Sequence, residues 1–168
     1  ILEVAKILKL KKNFLVKTLN KFKGLKYRQE IIYQSKKLTI INDSKATSFS
    51  SSVSLLKSLT DVYWIVGGQA KKGDKLILSK KNCKNFKAYI FGANKNFFIN
   101  NIKKLMKYES FSNLKILINK LFLDINFDKK IAHKTILFSP SAASFDNFKN
   151  FEKRGEYFNQ LIRKYKNA

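Results

Sequence analysis

The 168 residues carry 35 Lys and Arg against 11 Asp and Glu, a formal net charge of +24. That length suffices for one well-buried domain with a short extra piece at one end. A single cysteine, Cys83, and a single histidine, His133, exclude an intrachain disulfide and a Cys/His metal site, and no apolar run approaches the ~20 residues of a membrane span. A polyanionic partner is the usual reading of such charge. Only Arg28, Arg154 and Arg163 are arginine, however, and the lysines scatter through every segment among Asn, Ile and Phe. We read this as a general amino-acid bias, because arginine is the residue that grips phosphates and bases by its fork. The first residue is Ile1 and no signal-peptide pattern follows it. We therefore expect a piece of a longer, cytoplasmic protein. Cys83, in the polar run Lys80 to Lys84, is expected to be a bystander, and His133 a loop residue without a partner.

Residues 1–24 read as two short helices, with Ile1, Leu2, Val4, Ala5 and Leu8 on one apolar face and Phe14, Leu15, Leu19 and Phe22 on another. Lys11-Lys12-Asn13 separates them, and Gly24 is expected to stop the second. Too small for a core of their own, they should pack on the next segment or on further chain. Arg28 to Tyr33 and Lys37 to Asn42 form a hairpin around Gln34-Ser35-Lys36. A helix from Thr47 to Leu59 follows, then the apolar strand Val62 to Val66, whose continuity suits a parallel strand covered on both faces. Ala88 to Phe91 is a strand closed by Gly92. Phe98, Ile102, Leu105 and Met106 mark a helix, Lys107 to Glu109 an edge strand, and Ser110 the cap of a helix striped by Phe111, Leu114, Leu117, Leu121 and Phe122. Thr135 to Phe138 is the last strand. A final helix carries Phe148, Phe151, Phe158, Leu161, Ile162 and Tyr165. Such alternation predicts an α/β fold, a Rossmann-like and mostly parallel sheet with helices on both faces and an N-terminal hairpin.

Three loops fall at strand carboxyl ends, where open α/β sheets bind ligands. They are Asn42-Asp43-Ser44-Lys45-Ala46-Thr47, Gly67 to Asp74, and Ser139 to Phe145. The first is expected to open a helix, whose unpaired NH groups and dipole attract phosphate or carboxylate. Lys45 adds a cation, Thr47 a hydroxyl, and Asn42 and Asp43 groups suited to sugar hydroxyls. The plainer alternative is that Ser44 or Thr47 merely caps the helix while Asp43 makes a turn. Glycines in the second loop let backbone approach an anion, yet the loop matches neither a dinucleotide fingerprint nor a Walker A motif.

The hexapeptide, Gly67-Gly68 with Lys71 and Asp74, and the run Ser139-Pro140-Ser141-Ala142-Ala143-Ser144-Phe145-Asp146 through Gly155 together resemble the C-terminal domain of the Mur ligase family, in the same order over 25–168. Residues 1–24 are similar to the closing helices of that family's central ATPase domain. The resemblance implies an ATP-dependent, ADP-forming ligase that joins D-glutamate to UDP-N-acetylmuramoyl-L-alanine during peptidoglycan precursor synthesis, with roles in cell-wall biogenesis, cell shape and division. It further implies that Arg28, Asn42, Asp43 and Lys45 contribute to the ATP site, Arg28 and Lys45 at the phosphates and Asp43 at the ribose. Thr47 and Lys71 are implied to bind the α-carboxylate of D-glutamate, and Ser144, Phe145 and Phe151 its side-chain carboxylate. Catalytic groups and the ligands of Mg2+ are implied to lie in N-terminal and central domains upstream, so this stretch alone is expected to be inactive.

Two departures from the family pattern stand out. Ser141-Ala142 replaces Ala-Cys, a small-for-small change expected to be harmless. Gln69-Ala70 stands where an acid or glycine is usual, which leaves the register of Lys71 against Lys72 open. Competing readings are a basic nucleic-acid-binding module, a stand-alone dinucleotide binder, and a Mur-type ligase adding a different amino acid. Our reading has no nucleic-acid and no membrane partner.

Overall fold

A hairpin opens the sheet because Ser35 turns the chain: its hydroxyl accepts from the Leu38 and Lys37 amides at 3.1 and 3.3 Å. Strands β1 (Glu30–Gln34) and β2 (Leu38–Asn42) pair antiparallel across that turn. The computed structural model describes residues 2–22, 24–83, 85–129 and 132–166. Ile1, at the start of the expected first helix, and Lys84, at the end of the polar run, lie outside them. The remaining strands, β3 (Val62–Gly67), β4 (Lys87–Phe91), β5 (Lys107–Ser110) and β6 (Lys134–Phe138), are all parallel to β2. Sheet order is β1-β2-β6-β3-β4-β5, as the alternating pattern predicts for a Rossmann-like α/β fold. The last strand in sequence lies between the second and third, and all five of its residues are buried. An apolar run without alternation fits a position covered on both faces.

Each face has its own core. Helices α3 (Phe49–Ser58) and α4 (Lys95–Ile102) cover one face through Phe49, Leu56, Phe98 and Ile102, packed on Trp64, Val66 and Ile90. Helices α5 (Leu114–Phe127) and α6 (Phe151–Lys166) cover the other through Leu117, Leu121, Phe158 and Leu161, against Ile65, Tyr89 and Phe138. Period-2 alternation decides the partition: in β3, Trp64 and Val66 point to the first core and Ile65 to the second.

Between β3 and β4, where the sequence suggested no element, the described residues hold no α-helix, only a short 3₁₀ turn, Lys80–Cys83. Leu76 and Leu78 pack on the first core from this strap while Ile77 between them is 75% exposed, a strand-like period that no helix could satisfy. Several sequence expectations are corrected. Helix α5 is capped by Asn113, whose side chain accepts from the Ile116 amide, and not by Ser110, which belongs to β5. Helix α4 ends at Ile102, before Leu105 and Met106. Cys83 is no bystander: it is buried in the first core, and burial pushes its thiol pKa up. His133 has partners, Thr39 Oγ1 at 2.9 Å and the Lys36 carbonyl at 3.2 Å. At the N-terminus, α1 (Leu2–Ile7) and α2 (Lys12–Lys21) form, but α2 ends three residues before Gly24 and buries none of its residues. Val4, Ile7, Leu8, Phe14, Leu19 and Phe22 are all exposed, so the expected packing on the following segment does not occur.

Polar clasps hold the two ends of the sheet. At the amino end, Asp124 of α5 accepts from Lys87, Tyr89 and Lys120. Burial alone raises its pKa, but these three donors outweigh burial and hold it at about 2. At the carboxyl end the guanidinium of Arg154, 1% exposed, donates from Nε to Ser44 Oγ, from Nη2 to the Ser44 carbonyl and from Nη1 to the Ala142 carbonyl. Among the described residues no carboxylate lies within ion-pair distance of it, and burial pulls its pKa down to about 10.

Two outcomes are expected. Because the folded pKa of Asp124 lies below its unfolded value of ~3.9, its contribution to stability is complete above about pH 4 and is lost as pH falls toward 2. Asp124→Asn should flatten urea-denaturation stability between pH 4 and 2.5. Arg154→Met should lower stability by about 3 kcal/mol, since two buried carbonyls lose a charged donor, and Arg154→Lys should recover only part, one ammonium being unable to span both loops.

Candidate functional site

The loops at the carboxyl ends of β2, β3 and β6 are stitched into one edge by hydrogen bonds. Gln69 and Ala143 exchange amide-to-carbonyl bonds at 3.0 and 2.9 Å, and the Gly67 amide donates to the Pro140 carbonyl. Close approach is what the glycines allow: a Cβ on Gly67 would lie 2.0 Å from the Phe91 carbonyl oxygen, and one on Gly68 2.7 Å from that of Ala143, with both residues at φ near +130°. From the first core, Ser52 of α3 pairs its hydroxyl with Ser139 and Ser141 at 2.7 and 2.6 Å. Ser141 is therefore more than a harmless substitution: its hydroxyl is buried in this network, on a backbone at φ +56°. Asp74 closes the second loop by accepting from the Phe49 amide at 2.6 Å.

That last bond corrects the expected helix mouth. Helix α3 begins at Phe49, after Ser48, so Lys45 and Thr47 sit in a loop before it and neither Ser44 nor Thr47 is its cap. The first free amide of the helix is taken by a carboxylate from a loop 25 residues away. The hexapeptide is shaped instead by tertiary bonds. The Lys45 amide donates to the Tyr27 carbonyl at 2.9 Å, and the Ser44 hydroxyl to the Phe151 carbonyl at 2.8 Å.

The residues expected to bind a nucleotide divide into two kinds. Asn42, fully buried, has both amide hydrogens engaged, on the Gly155 carbonyl and Asn159 Oδ1, while its oxygen accepts from the Ser44 amide. It has no side-chain group left for a sugar hydroxyl, and we correct that expectation: Asn42 ties β2 to α6. Asp43 accepts from Ser139 Oγ and the Gln29 amide. Burial raises its pKa, against these bonds and the nearby Arg28 charge. Its carboxylate still borders a recess of about 390 Å³ lined by Arg28, Gln29, Asp43, Lys45, Ala46, Thr47 and Ser51. Lys45 Nζ sits 3.9 Å over the Phe151 ring, and Arg28 is exposed. Two cations, a carboxylate and two hydroxyls are a donor set that fits the phosphates and a sugar of ATP.

Thr47, Lys71 and Ser144 behave differently. Their side-chain donors make no hydrogen bond among the described residues. Thr47 and Lys71 are exposed, and Ser144 is 3% exposed. The structure brings their loops together but not their side chains into one enclosed hollow: Thr47 borders the recess with Arg28 and Lys45, whereas Lys71 and Ser144 do not. Phe145 is 72% exposed and Phe151 half-buried beneath Lys45. Phe151 thus stands beside a residue expected at ATP.

Arg154, Asp74 and Asp146 were given no role from the sequence. Asp146 accepts from the Ala93 amide at 2.9 Å and so fastens the third loop to the end of β4. A larger hollow, about 1180 Å³, lies at the amino ends of β3 and β4, where six lysines are offset by Asp61, Glu109 and Asp128. It lies at the opposite end of the strands from the three loops. Among the described residues no group of three or more His, Cys, Asp or Glu could hold a metal ion. None of their helices is long and apolar enough to cross a membrane.

No protein-family model matches the chain. Curated proteins do. A UDP-N-acetylmuramoylalanine–D-glutamate ligase from Wolbachia sp. subsp. Brugia malayi is 34% identical over 165 residues, 98% of this chain and 33% of its own length. Namesakes from Rickettsia prowazekii and Francisella tularensis are also 34% identical, over 96% and 89% of the chain, each covered for 36% of its length. The chain thus spans about a third of the curated relatives it matches. On identity sustained over nearly its whole length, the chain belongs to the Mur ligase family.

Proposed function

We propose that the chain is the C-terminal part of an ATP-dependent ligase that joins D-glutamate to UDP-N-acetylmuramoyl-L-alanine in peptidoglycan precursor synthesis, in the cytoplasm. On this reading residues 25–168 are a domain that holds D-glutamate and completes the ATP site. Residues 1–24 are the closing helices of a central domain upstream, onto which their exposed apolar side chains fold. The observation that carries the reading is the contrast at the pinned loops: Asn42 and Arg154 are wholly engaged inside the fold, while Thr47, Lys71 and Ser144 present unengaged donors.

A dicarboxylate needs two separated donor clusters. Lys71 and Thr47 supply an ammonium and a hydroxyl for the α-carboxylate, and Ser144 with the backbone near Phe145 and Phe151 takes the side-chain carboxylate. Lys45 and Arg28 neutralise phosphate oxygens, and Asp43 accepts from the ribose. When bound, ATP supplies the phosphoryl group that activates the precursor's carboxylate. The chain's own contribution is placement, bringing the amine to that carbon by rigid-body closure about Gly24 to Arg28, where Gly24 has an open left-handed conformation. Ligands for Mg2+ are assigned to the upstream domains.

In the full-length protein, Lys71→Ala should raise KM for D-glutamate at least about tenfold, the loss of one charge-assisted contact of ~1.5 kcal/mol or more, with KM for ATP little changed. Lys45→Ala should do the reverse. Unchanged D-glutamate kinetics in Lys71→Ala removes the assignment; the effect appearing only in Lys72→Ala moves the contact by one residue. Labelled amino acids offered in competition should show D-glutamate as the acceptor. The 168 residues alone, given ATP, precursor and D-glutamate, should release no phosphate.

A further inference from the structure

Lys71 stands at the crown of an arch with two feet. The first foot is fixed by the Gln69–Ala143 amide pair and by the Ala70 amide donating to Asn94 Oδ1 at 2.8 Å. The crown turns through Gly73 at φ +76°, and the Asp74 amide returns to the Lys71 carbonyl at 3.2 Å. The second foot is fixed by Asp74 Oδ2, which accepts from the Phe49 amide at 2.6 Å, and two residues further on by the Leu76 amide, which donates to Asn101 Oδ1 at 3.4 Å. Phe49 is the first residue of α3 and lies two positions after Thr47. Of these two bonds, the one to the Asp74 carboxylate is the one that ties the arch to the start of the helix, and so its crown to the hexapeptide. Nothing on Thr47 or Lys71 themselves performs this; both side chains are without partners among the described residues.

We infer that Asp74 is a positioning residue for the α-carboxylate of the amino-acid substrate. Through its bond to the Phe49 amide it holds Lys71 and Thr47 at the separation that one carboxylate can bridge. The inference rests on the assignment of Lys71 and Thr47 made above. Its chemistry is that of an acceptor, since the role requires a short oxygen-to-amide bond. A negative charge here is otherwise a disadvantage, because it faces an anionic substrate. Asp74→Asn keeps an acceptor of the same reach and removes the charge, so it should preserve function. Asp74→Ala removes the bond, leaves the arch untied from the start of α3 while Leu76 still anchors the strap, and should act on substrate binding through Lys71 alone.

The test uses the full-length enzyme and steady-state kinetics with D-glutamate and ATP varied separately, together with thermal melting. Asp74→Ala should raise KM for D-glutamate about tenfold, leave KM for ATP within twofold, and add no further increase when combined with Lys71→Ala. Asp74→Asn should stay within about twofold of the parent for both substrates. If Asp74→Ala does not fold, Asp74→Glu carries the same test, its extra methylene displacing the arch while keeping a carboxylate, and the same split between the two KM values is expected. The inference is overturned if the folded variant raises both KM values alike, leaves D-glutamate unaffected, or adds its full effect on top of Lys71→Ala. Equal damage in Asp74→Asn and Asp74→Ala overturns it too. Failure of Lys71→Ala to affect D-glutamate instead rejects the underlying assignment, so the two failures are told apart.

Discussion

The carboxyl edge of this sheet depends on one buried guanidinium. Arg154 enters from α6 and holds the Ser44 and Ala142 carbonyls, which belong to loops nearly a hundred residues apart in sequence. A buried cation with three oxygen acceptors and no carboxylate is costly to desolvate, and it is tolerated only because the backbone carbonyls converge on it. Planarity matters as much as charge. A fork of fixed geometry fixes the loops relative to each other, and a flexible ammonium does not. The glycines opposite, Gly67 and Gly68, are the other half of the same constraint. Backbone lies against backbone there, so the loop of β3 can reach Ala143 and Phe91 at distances that no side chain permits.

Given that frame, polar residues on this edge separate by whether their hydrogen bonds are already made. Asn42, Ser44, Ser139 and Ser141 are saturated by partners inside the protein and determine loop shape. Lys45 and Thr47 stand at the recess and Lys71 on the exposed surface, while the hydroxyl of the buried Ser144 makes no hydrogen bond among the described residues. A rigid base carrying a few unengaged donors is what substrate placement requires, because a displacement of about 1 Å at the reacting centre can cost ~100-fold in rate. Opposite the edge, the Asp124 cluster does a comparable job with ion pairs, in which Lys87 and Lys120 together with the Tyr89 hydroxyl outweigh the cost of burying the carboxylate.

Much of the fold was legible because its signals are local and periodic. The apolar run in β3, the stripe Leu114, Leu117 and Leu121 in α5, and the hairpin around Ser35 each follow from neighbours in sequence. The strap between β3 and β4 received no element from the sequence, because Leu76, Ile77 and Leu78 are too few to declare a period against lysines and glycine. The start of α3 was misplaced for a different reason. Ser44 and Thr47 have the composition of a helix cap, and Ser48 was the true boundary residue, but the group that satisfies the Phe49 amide comes from Asp74, which no local rule connects to it. In the site, residue type at a strand end drew attention to Lys45 and Thr47, whereas the roles of Lys71 and Ser144 were implied by the family resemblance alone. Asn42 was misjudged because sequence cannot reveal that Gly155 and Asn159 would occupy its amide.

Arg154 and Asp74 share the feature that hid them. Each is charged, each sits in a stretch whose composition predicts exposure, and each bonds to main-chain groups of a distant segment. Main-chain partners leave no trace in residue identity at the other end, since any amino acid but proline offers the same amide and every one the same carbonyl. Asp74 adds a second step, because its partner is the first amide of a helix, where the dipole already favours an anion. A carboxylate supplied by the protein at that point occupies the anion seat of the helix. Under the proposed function, that is the physical reason a substrate carboxylate would fall to the side chains of Lys71 and Thr47 instead of to the helix.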